Sequence, residues 1–232
     1  MNTIHTRIAH VRERMATAAA RAGRSVDEIT LIAVSKTRTL AEIQAAIDAG
    51  ITVLGENRVQ EAETKIPKLP AGTVTWHLIG HLQKNKINKA LDLFSLIHSV
   101  DSYKLAEAIS KRALQRQKVM DVLIEVNTSG EASKFGVDPD HAIELVKSAA
   151  SLEGIRIQGL MTVGPFLDDA EAIRPCFSQL RHLRDHIQTL ELPNVSMRHL
   201  SMGMTNDFEV AIEEGATLIR VGTAIFGART YP

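Results

Sequence analysis

The chain repeats one pattern eight times: a short run rich in β-branched and other apolar residues, then a stretch whose apolar residues recur at helical spacing. The eight runs lie at residues 31–35, 52–54, 75–79, 96–100, 119–126, 155–161, 197–201 and 218–221. Two of the intervening helices have clear start signals, a capping-box pair at Thr39 and Glu42 and an Asp138–Pro139 step. Strands and helices that alternate in this way predict a parallel sheet covered by helices.

Two architectures satisfy this alternation, a doubly wound open sheet and a closed barrel. No G-x-G-x-x-G motif follows the first run, and eight units over about 200 residues match the size of a closed barrel. An additional amphipathic helix, with Ile4, Ile8, Val11 and Met15 on one stripe, precedes the first strand. We therefore predict an α/β fold, a (β/α)8 TIM-type barrel with an extra N-terminal helix. Since neither a linker nor a composition shift interrupts it, we expect one domain over residues 1–232.

Composition narrows the class of protein. The 232 residues include 27 basic and 27 acidic side chains, so a general electrostatic attraction to nucleic acid or to an anionic membrane is not expected. The single cysteine, Cys176, cannot form an internal disulfide and is predicted to be a small core residue. The first residues contain no continuous apolar segment, so we expect neither a secretory signal nor a membrane span. These features predict a soluble, cytoplasmic and monomeric protein.

Candidate site residues gather at the predicted C-terminal ends of the strands, where barrel enzymes place their active sites. The most informative is Lys36, which ends the run LIAVSK and would project its amine into the barrel mouth. Burial at such a position lowers the pKa of a lysine and makes the amine a nucleophile toward a carbonyl, giving a Schiff base. The alternative is a lysine that simply extends to solvent. Asn57, His77 and Met161 stand at or near other strand ends.

The ends of strands seven and eight predict an anion site. Barrel enzymes often bind phosphate between these two loops, through backbone N–H groups and the start of a short helix. Gly203 and Gly222 allow the backbone to approach an anion closely, and Ser201 and Thr223 add hydroxyl donors. Ordinary turn chemistry would also explain these residue types.

Arg220 shares a strand face with Gly222, because the two are separated by two positions. An interior arginine needs acceptors, supplied by a structural ion pair or by the far end of a ligand whose phosphate lies at Gly222. A Schiff-base lysine, a phosphate cradle and an interior donor together predict pyridoxal 5'-phosphate (PLP) better than a sugar phosphate.

Several motifs resemble one known family. They are AVSKT at 33–37, LGENRVQE at 54–61, WHLIGHLQKNK at 76–86, SKFG at 133–136, GLMTV at 159–163, LSMGMTNDFEVAI at 200–212 and RVGTAIFGAR at 220–229. With these motifs the chain resembles, over essentially its whole length, the pyridoxal phosphate homeostasis protein family, whose barrel is similar to the N-terminal domain of alanine racemase. Leu54 and Leu78 stand where larger apolar residues are frequent, and both are packing changes.

The resemblance implies a role for each matching residue. It implies that Lys36 forms the Schiff base, that Ser201 and the backbone around Gly222 and Thr223 hold the phosphate, and that Gly203 and Met204 lie close by. It also implies that Arg220 faces the pyridine nitrogen and that Asn57 and His77 line the ring. For His77 a hydrogen-bonded structural role stays open. Lys134, in SKFG, matches the family pattern and is interpreted as a mobile loop lysine near the mouth.

Three functions remain open at this point. The first is a PLP carrier that holds or delivers the cofactor, with transient contacts to apo forms of PLP-dependent enzymes, and maintains vitamin B6 and amino-acid homeostasis. The second is a small amino-acid racemase, which needs an acid/base group on each face of the substrate. Alanine-racemase-like enzymes supply the second base, a tyrosine, from a further domain, and this chain has only Tyr103 and Tyr231. The third is a sugar-phosphate enzyme with Glu56 as its catalytic acid. We favour the carrier, without catalysis and without a metal.

Overall fold

The computed structural model of the protein describes residues 3–131, 133–165, 167 and 169–228. Eight parallel strands close into a barrel in sequence order, with β8 paired to β1. Their bounds are β1 Thr30–Val34, β2 Val53–Glu56, β3 Thr75–Leu78, β4 Leu96–Val100, β5 Met120–Glu125, β6 Ile155–Met161, β7 Val195–Ser201 and β8 Leu218–Val221. The predicted barrel is confirmed, and every predicted run contains a strand whose ends lie within two residues of the expected ones.

Helices surround the barrel. Within the described residues they are α1 Ile4–Arg21, α2 Leu40–Asp48, α3 Val59–Lys65, α4 Ile87–Leu93, α5 Tyr103–Leu114, α6 Pro139–Ala149, α7 Arg174–Gln188, α8 Phe208–Glu213 and α9 Thr223–Phe226. The extra N-terminal helix α1 packs on α8 and α9 through Ile8, Val11 and Met15. Among the described helices, none is long and apolar enough to cross a membrane.

The predicted helix starts are confirmed. The Thr39 side chain accepts from the Glu42 backbone N–H, and the Glu42 side chain accepts from the Thr39 backbone N–H, which forms a complete capping box. The Asp138 side chain accepts from the Asp140 N–H, and Pro139 occupies the first turn of α6. Helix α8 starts later than the position near residue 205 that the sequence suggested, because residues 204–208 form a turn closed by N–H donors to the Met204 carbonyl.

Strand alternation divides the core into two clusters. Residues such as Ala33, Leu54 and Ile97 face outward and pack under the helices. A smaller apolar cluster fills part of the interior; it consists of Ile32, Val53, Leu96, Leu123, Met161 and Leu218. The interior also holds the buried polar side chains of His77, His98, Ser201 and Arg220. A packed interior that contains polar groups therefore separates the two ends of the barrel.

Candidate functional site at the C-terminal rim

Lys36 lies in a tight turn directly after β1. The turn is closed by a hydrogen bond of 3.0 Å from the Arg38 N–H to the Ser35 carbonyl. Thr37 has a φ of 63°, a left-handed conformation that is rare for a β-branched residue. Its N–H donates to the Glu61 carboxylate, and its hydroxyl donates to the Lys36 carbonyl. Such a conformation persists only where the surroundings hold it, so the backbone at Lys36 is fixed on both sides.

A buried ion pair outside the barrel wall supports this turn. Lys65, on α3, donates to the Ser35 carbonyl at 2.7 Å, to Glu56 at 2.9 Å, and to Glu61. The Ser35 hydroxyl also donates to Glu56, at 2.7 Å. Burial raises the pKa of Glu56, and its hydrogen bonds to Ser35 and Lys65 oppose that shift. Since Glu56 is fully buried in this pair, it is a structural residue and does not serve as the rim acid that the sugar-phosphate alternative requires.

The loops after β7 and β8 meet each other, and Gly222 lies against the end of β1, from which the Lys36 turn leaves. A side-chain carbon placed on Gly222 would lie 3.4 Å from Cβ of Val34, two residues before Lys36. Gly203 has a φ of 90°, and an added side-chain carbon there would clash with Ala211 at 2.6 Å, so only glycine fits this turn. Met204, partly buried, anchors the turn through its N–H to Asp207.

Thr205 contributes to this rim, and sequence analysis missed it. Its hydroxyl accepts from the Ala224 N–H at 3.3 Å, in the first turn of α9. Thr223 is exposed in the same turn. The Thr205 hydroxyl therefore lies against the first turn of α9, which begins with the exposed Thr223. Thr205 ends the SMGMT segment and could therefore have been named from the sequence, but only the tertiary structure shows that it lies next to α9.

Ser201 occupies a different place from the one that sequence analysis expected. It is fully buried, and its hydroxyl oxygen lies 2.6 Å from Nη1 of Arg220 and 2.9 Å from Nδ1 of His98. The hydroxyl is therefore engaged inside the barrel, one layer below the rim. The role of Ser201 in holding a phosphate stays a prediction, and the structure shows that its hydroxyl also bonds to Arg220 and His98.

Arg220 lies one strand pleat below Gly222 and is held by two acceptors. Its Nη1 donates to Ser201, and its Nη2 donates to the Thr162 carbonyl at 2.8 Å. Burial lowers the pKa of Arg220 to about 10, and the carboxylates of Asp207 and Glu125 oppose that shift. The guanidinium therefore stays charged at neutral pH, and the structure places it where the sequence predicted, in the interior beneath the β8 rim.

Glu125 is a second residue that sequence analysis missed. It ends β5, shares the interior face with Leu123, and is 7% exposed. Burial, with a contribution from Asp101, raises its pKa to about 7, and Arg220 opposes the shift. Glu125 can therefore both donate and accept a proton near neutral pH, as an acid/base group must. Its strand position and its parity with Leu123 were visible in the sequence.

Asn57 and His77 lie at different ends of the barrel. Asn57 follows β2 at the C-terminal rim, and its carbonyl oxygen would lie 2.4 Å from a side-chain carbon on Gly80, so a glycine is required there. His77 instead lines a cavity of about 300 Å³ with Thr30, Leu96 and Leu218, which begin three strands. That cavity is the N-terminal mouth. The structure therefore separates His77 from the C-terminal rim, where sequence analysis expected it.

The remaining candidates are packing or loop residues. Met161 is 1% exposed within the apolar interior cluster, so it packs the barrel below the rim and is not an exposed rim residue. Lys134 donates to the Gly164 carbonyl at 2.9 Å and to Glu131 at 2.7 Å. It therefore links the loops after β5 and β6, and its interpretation as a mobile lysine stays a prediction. Cys176 is partly buried, and burial raises the pKa of its thiol.

Comparison with known proteins gives a consistent result. Residues 7–230 match the family described as alanine racemase, N-terminal domain. The pyridoxal phosphate homeostasis protein of Aquifex aeolicus (strain VF5) is 46% identical over 225 residues, which cover 97% of this chain and 98% of that protein. A solved structure of a protein from Bifidobacterium adolescentis has a TM-score of 0.91 at 47% identity and covers 96% of this chain and 94% of its own.

Two further structures bear on the fold and the ligand. PipY of Synechococcus elongatus PCC7942, solved with PLP bound, has a TM-score of 0.83 at 35% identity and covers 97% of this chain and 100% of its own. Alanine racemase of Clostridium difficile 630 is 12% identical, with a TM-score of 0.77, and shares the fold. The match covers 100% of this chain but 58% of that enzyme.

The buried Lys65–Glu56 pair predicts a large loss of stability when one partner is removed. We expect Lys65→Met to lower the free energy of unfolding by about 3 kcal/mol, because Glu56 then lacks its countercharge. Lys89→Met is the matched control, since Lys89 is exposed and pairs with Glu63 at 3.1 Å; here the loss should stay below about 1 kcal/mol. Denaturant titration measures both variants, and equal losses would contradict the assigned role.

The pKa of Glu125 predicts how stability depends on pH. Because this pKa lies above its ordinary value of 4.5, folding favours the protonated carboxyl. The stabilisation of the folded state that comes from this carboxyl is complete below about pH 4.5 and is lost as the pH rises through about 7. Relative to Glu125→Gln, the ligand-free wild type should therefore lose on the order of 3 kcal/mol between about pH 4.5 and about pH 8. Glu153→Gln, at an exposed carboxyl, is the control, and the pH dependence of its free energy of unfolding should follow that of the wild type. If Glu125→Gln also shows the wild-type pH dependence, Glu125 is not the buried acid that we assign.

Proposed function

This chain belongs to the family of pyridoxal phosphate homeostasis proteins, which share the barrel of the alanine racemase N-terminal domain, and we propose that it binds PLP at its C-terminal rim and holds it without turning over a substrate. One observation carries the proposal: the constrained Lys36 turn lies beside Gly222, and the buried Arg220 guanidinium lies one pleat beneath. The structure of PipY with PLP bound supports the choice of ligand.

The residues present fit the chemical parts of this cofactor. PLP supplies an aldehyde that condenses reversibly with primary amines and can therefore be stored and released. Lys36 would provide the amine, since its turn is fixed at the mouth. The first turn of α9, with Gly222 and Thr223, and the Thr205 hydroxyl would hold the phosphate. Asn57 at the end of β2 would border the ring.

Arg220 would hold the pyridine nitrogen, and its chemistry favours storage over catalysis. A guanidinium donates hydrogen bonds and does not accept them, and Arg220 stays charged at neutral pH. It would therefore keep the ring nitrogen as an acceptor that carries no proton. A ring without that proton is a poorer electron acceptor, which disfavours substrate carbanions. The proposed partners are accordingly apo forms of PLP-dependent enzymes that take up the released cofactor.

The racemase alternative needs two acid/base groups that face opposite sides of the substrate. Glu125 is one candidate, because its pKa of about 7 suits proton transfer. Tyr103 begins α5 and is 41% exposed. Tyr231 lies outside the described residues. The relatives at 36–46% identity bear the name pyridoxal phosphate homeostasis protein and not that of a racemase. On this ground we propose that racemisation is not the activity of this chain.

The role of Lys36 is tested by covalent trapping. We expect borohydride reduction of the PLP-loaded protein to fix a pyridoxyl group on the peptide that contains Lys36, as mass spectrometry would show. Lys36→Ala should lose both the label and the visible absorption band. Lys134→Ala is the matched control at another partly buried rim lysine and should retain both. A label found mainly on Lys134 or within residues 84–89 would identify a different amine.

The absence of racemase activity is tested directly. With PLP at saturation, we expect no conversion of L-alanine to D-alanine and no solvent deuterium incorporation at Cα above the rate of free PLP. The physical reason is that a missing acid/base group costs on the order of a hundred- to ten-thousand-fold in rate. Turnover at ordinary enzyme rates would instead establish the racemase, and its loss in Glu125→Gln would identify the base.

A further inference from the structure

A chain of hydrogen bonds crosses the barrel interior beneath the candidate cofactor site. It begins at Arg220, whose Nη1 lies 2.6 Å from the Ser201 hydroxyl oxygen. That oxygen lies 2.9 Å from Nδ1 of His98. Nε2 of His98 lies 3.1 Å from Nδ1 of His77. Ser201 and His98 are fully buried, so these contacts form a continuous internal link between β8, β7, β4 and β3.

The chain ends at the N-terminal mouth. His77 is 8% exposed there and lines the cavity of about 300 Å³ at the strand starts. Its Nδ1 faces His98, and its second nitrogen, Nε2, has no protein partner in the described part of the chain. Solvent in the mouth can therefore exchange hydrogen bonds with this nitrogen.

The charge of Arg220 determines the direction of every bond in the chain. A guanidinium only donates, so Ser201 accepts from Arg220 and keeps one proton to donate. If Ser201 donates to Nδ1 of His98, then His98 carries its proton on Nε2 and donates to His77. His77 in turn carries its proton on Nε2, toward the mouth. All donors then point away from Arg220; each donor inside the barrel has a protein acceptor, and Nε2–H of His77 points to the solvent of the mouth.

The opposite direction leaves a buried donor unsatisfied. If His98 carried its proton on Nδ1, Ser201 would accept from both Arg220 and His98. Its own proton would then need another acceptor, yet the hydroxyl is fully buried, and its contacts among the described residues are those two donors and no acceptor. A buried hydroxyl without an acceptor costs free energy. The geometry therefore favours the first direction.

We propose that His98 is a positioning residue of the cofactor site. Its Nδ1 accepts a hydrogen bond from the Ser201 hydroxyl, whose oxygen accepts from the Arg220 guanidinium, and in this way His98 orients the guanidinium from below. His98 and His77 are both neutral and protonated on Nε2. Identification of the ligand above Arg220 rests on the proposed function. The tautomers and the direction of the chain are independent of it.

The groups that face the two histidines are consistent with neutral rings. His98 lies between His77 and the Arg220 charge, and burial first, then these neighbours, lower its pKa. Burial, with a contribution from His199 on β7, lowers the pKa of His77 to about 4. Asp121 on β5 and Arg198 on β7 also line the mouth beside His77. Asp121 is paired with Arg156 at 2.8 Å.

The first experiment uses the ligand-free protein. Two-bond 1H–15N correlation spectra at neutral pH report which ring nitrogen carries the proton of each histidine. We expect His98 and His77 to be neutral with the proton on Nε2. A His98 ring that is protonated on Nδ1, or on both nitrogens, would overturn the proposal, whether or not the protein binds PLP.

The second experiment measures PLP affinity by absorbance titration in matched variants. His98→Leu removes the acceptor for Ser201 and should weaken binding by about tenfold. His98→Asn can place an amide oxygen near the position of Nδ1 and should stay within about threefold of the wild type. His199→Leu is the control, because His199 lines the same mouth but bonds to Thr217 at 3.2 Å, outside the chain.

The outcomes separate a positioning role from simple packing. Leucine and asparagine variants that bind equally weakly would make His98 a packing residue and overturn the proposal, as would a leucine variant that binds like the wild type. If His98→Leu does not fold, the NMR tautomers of the wild type and the PLP affinity of His98→Asn remain as the test, and a loss of more than about threefold in His98→Asn would overturn the proposal. A wild type that binds no PLP contradicts the proposed function, whereas the NMR result still decides the tautomers.

Discussion

The burial of the Arg220 charge inside the barrel is the constraint that the rest of the site depends on. A buried guanidinium requires acceptors, and the structure supplies them from two other strands through Ser201 and the Thr162 carbonyl. Asp207 and Glu125 add negative charge around it. The same cation orients the Ser201–His98–His77 chain toward the opposite mouth. One charge on β8 thereby determines the hydrogen-bonding roles of neighbours on three other strands, β7, β4 and β3.

The rim above Arg220 is held rigid from outside the barrel wall. The Lys36 turn has a left-handed Thr37 at its centre, a conformation that isolated peptides avoid. Glu61 and Lys65 on α3 bind the backbone on both sides of Lys36, and Glu56 on β2 holds the Lys65 ammonium. The cost of burying this ion pair is offset by the hydrogen bonds that it makes to the turn. A lysine used to hold an aldehyde benefits from such a fixed backbone, because the side chain that carries the amine then extends from a fixed Cα position.

Two carboxylates close to this site have raised pKa values for the same reason but serve different purposes. Glu56 is buried against Lys65 and Ser35, and its hydrogen bonds keep it a structural group. Glu125 faces the interior near Arg220 and Asp101, and its pKa of about 7 leaves it able to exchange a proton. The difference lies in which face of the strand each residue occupies. Parity along a strand therefore places Glu56 outside the barrel wall and Glu125 in the barrel interior.

Much of the fold was predictable from the sequence, because strand and helix periods and capping signals are local. The eight strands, the N-terminal helix, the capping box at Thr39 and the N-cap at Asp138 follow from spacings within one segment. Lys36, Gly222 and Arg220 were identified as rim or interior residues because a closed barrel brings all C-terminal strand ends to one side. For these residues, position along a strand is sufficient to place the side chain.

Only the tertiary structure decided the depth of each group and its partners. Ser201 and Thr205 are four residues apart, and the sequence offers both as hydroxyls; the stagger of β7 against β8 puts Ser201 on Arg220 and Thr205 on α9. Asn57 follows the second strand and His77 lies within the third, yet they lie at opposite mouths. The sequence by itself determined the barrel and the end at which its chemistry lies. The register between strands decided which side chains meet, because hydrogen bonds between distant segments set that register.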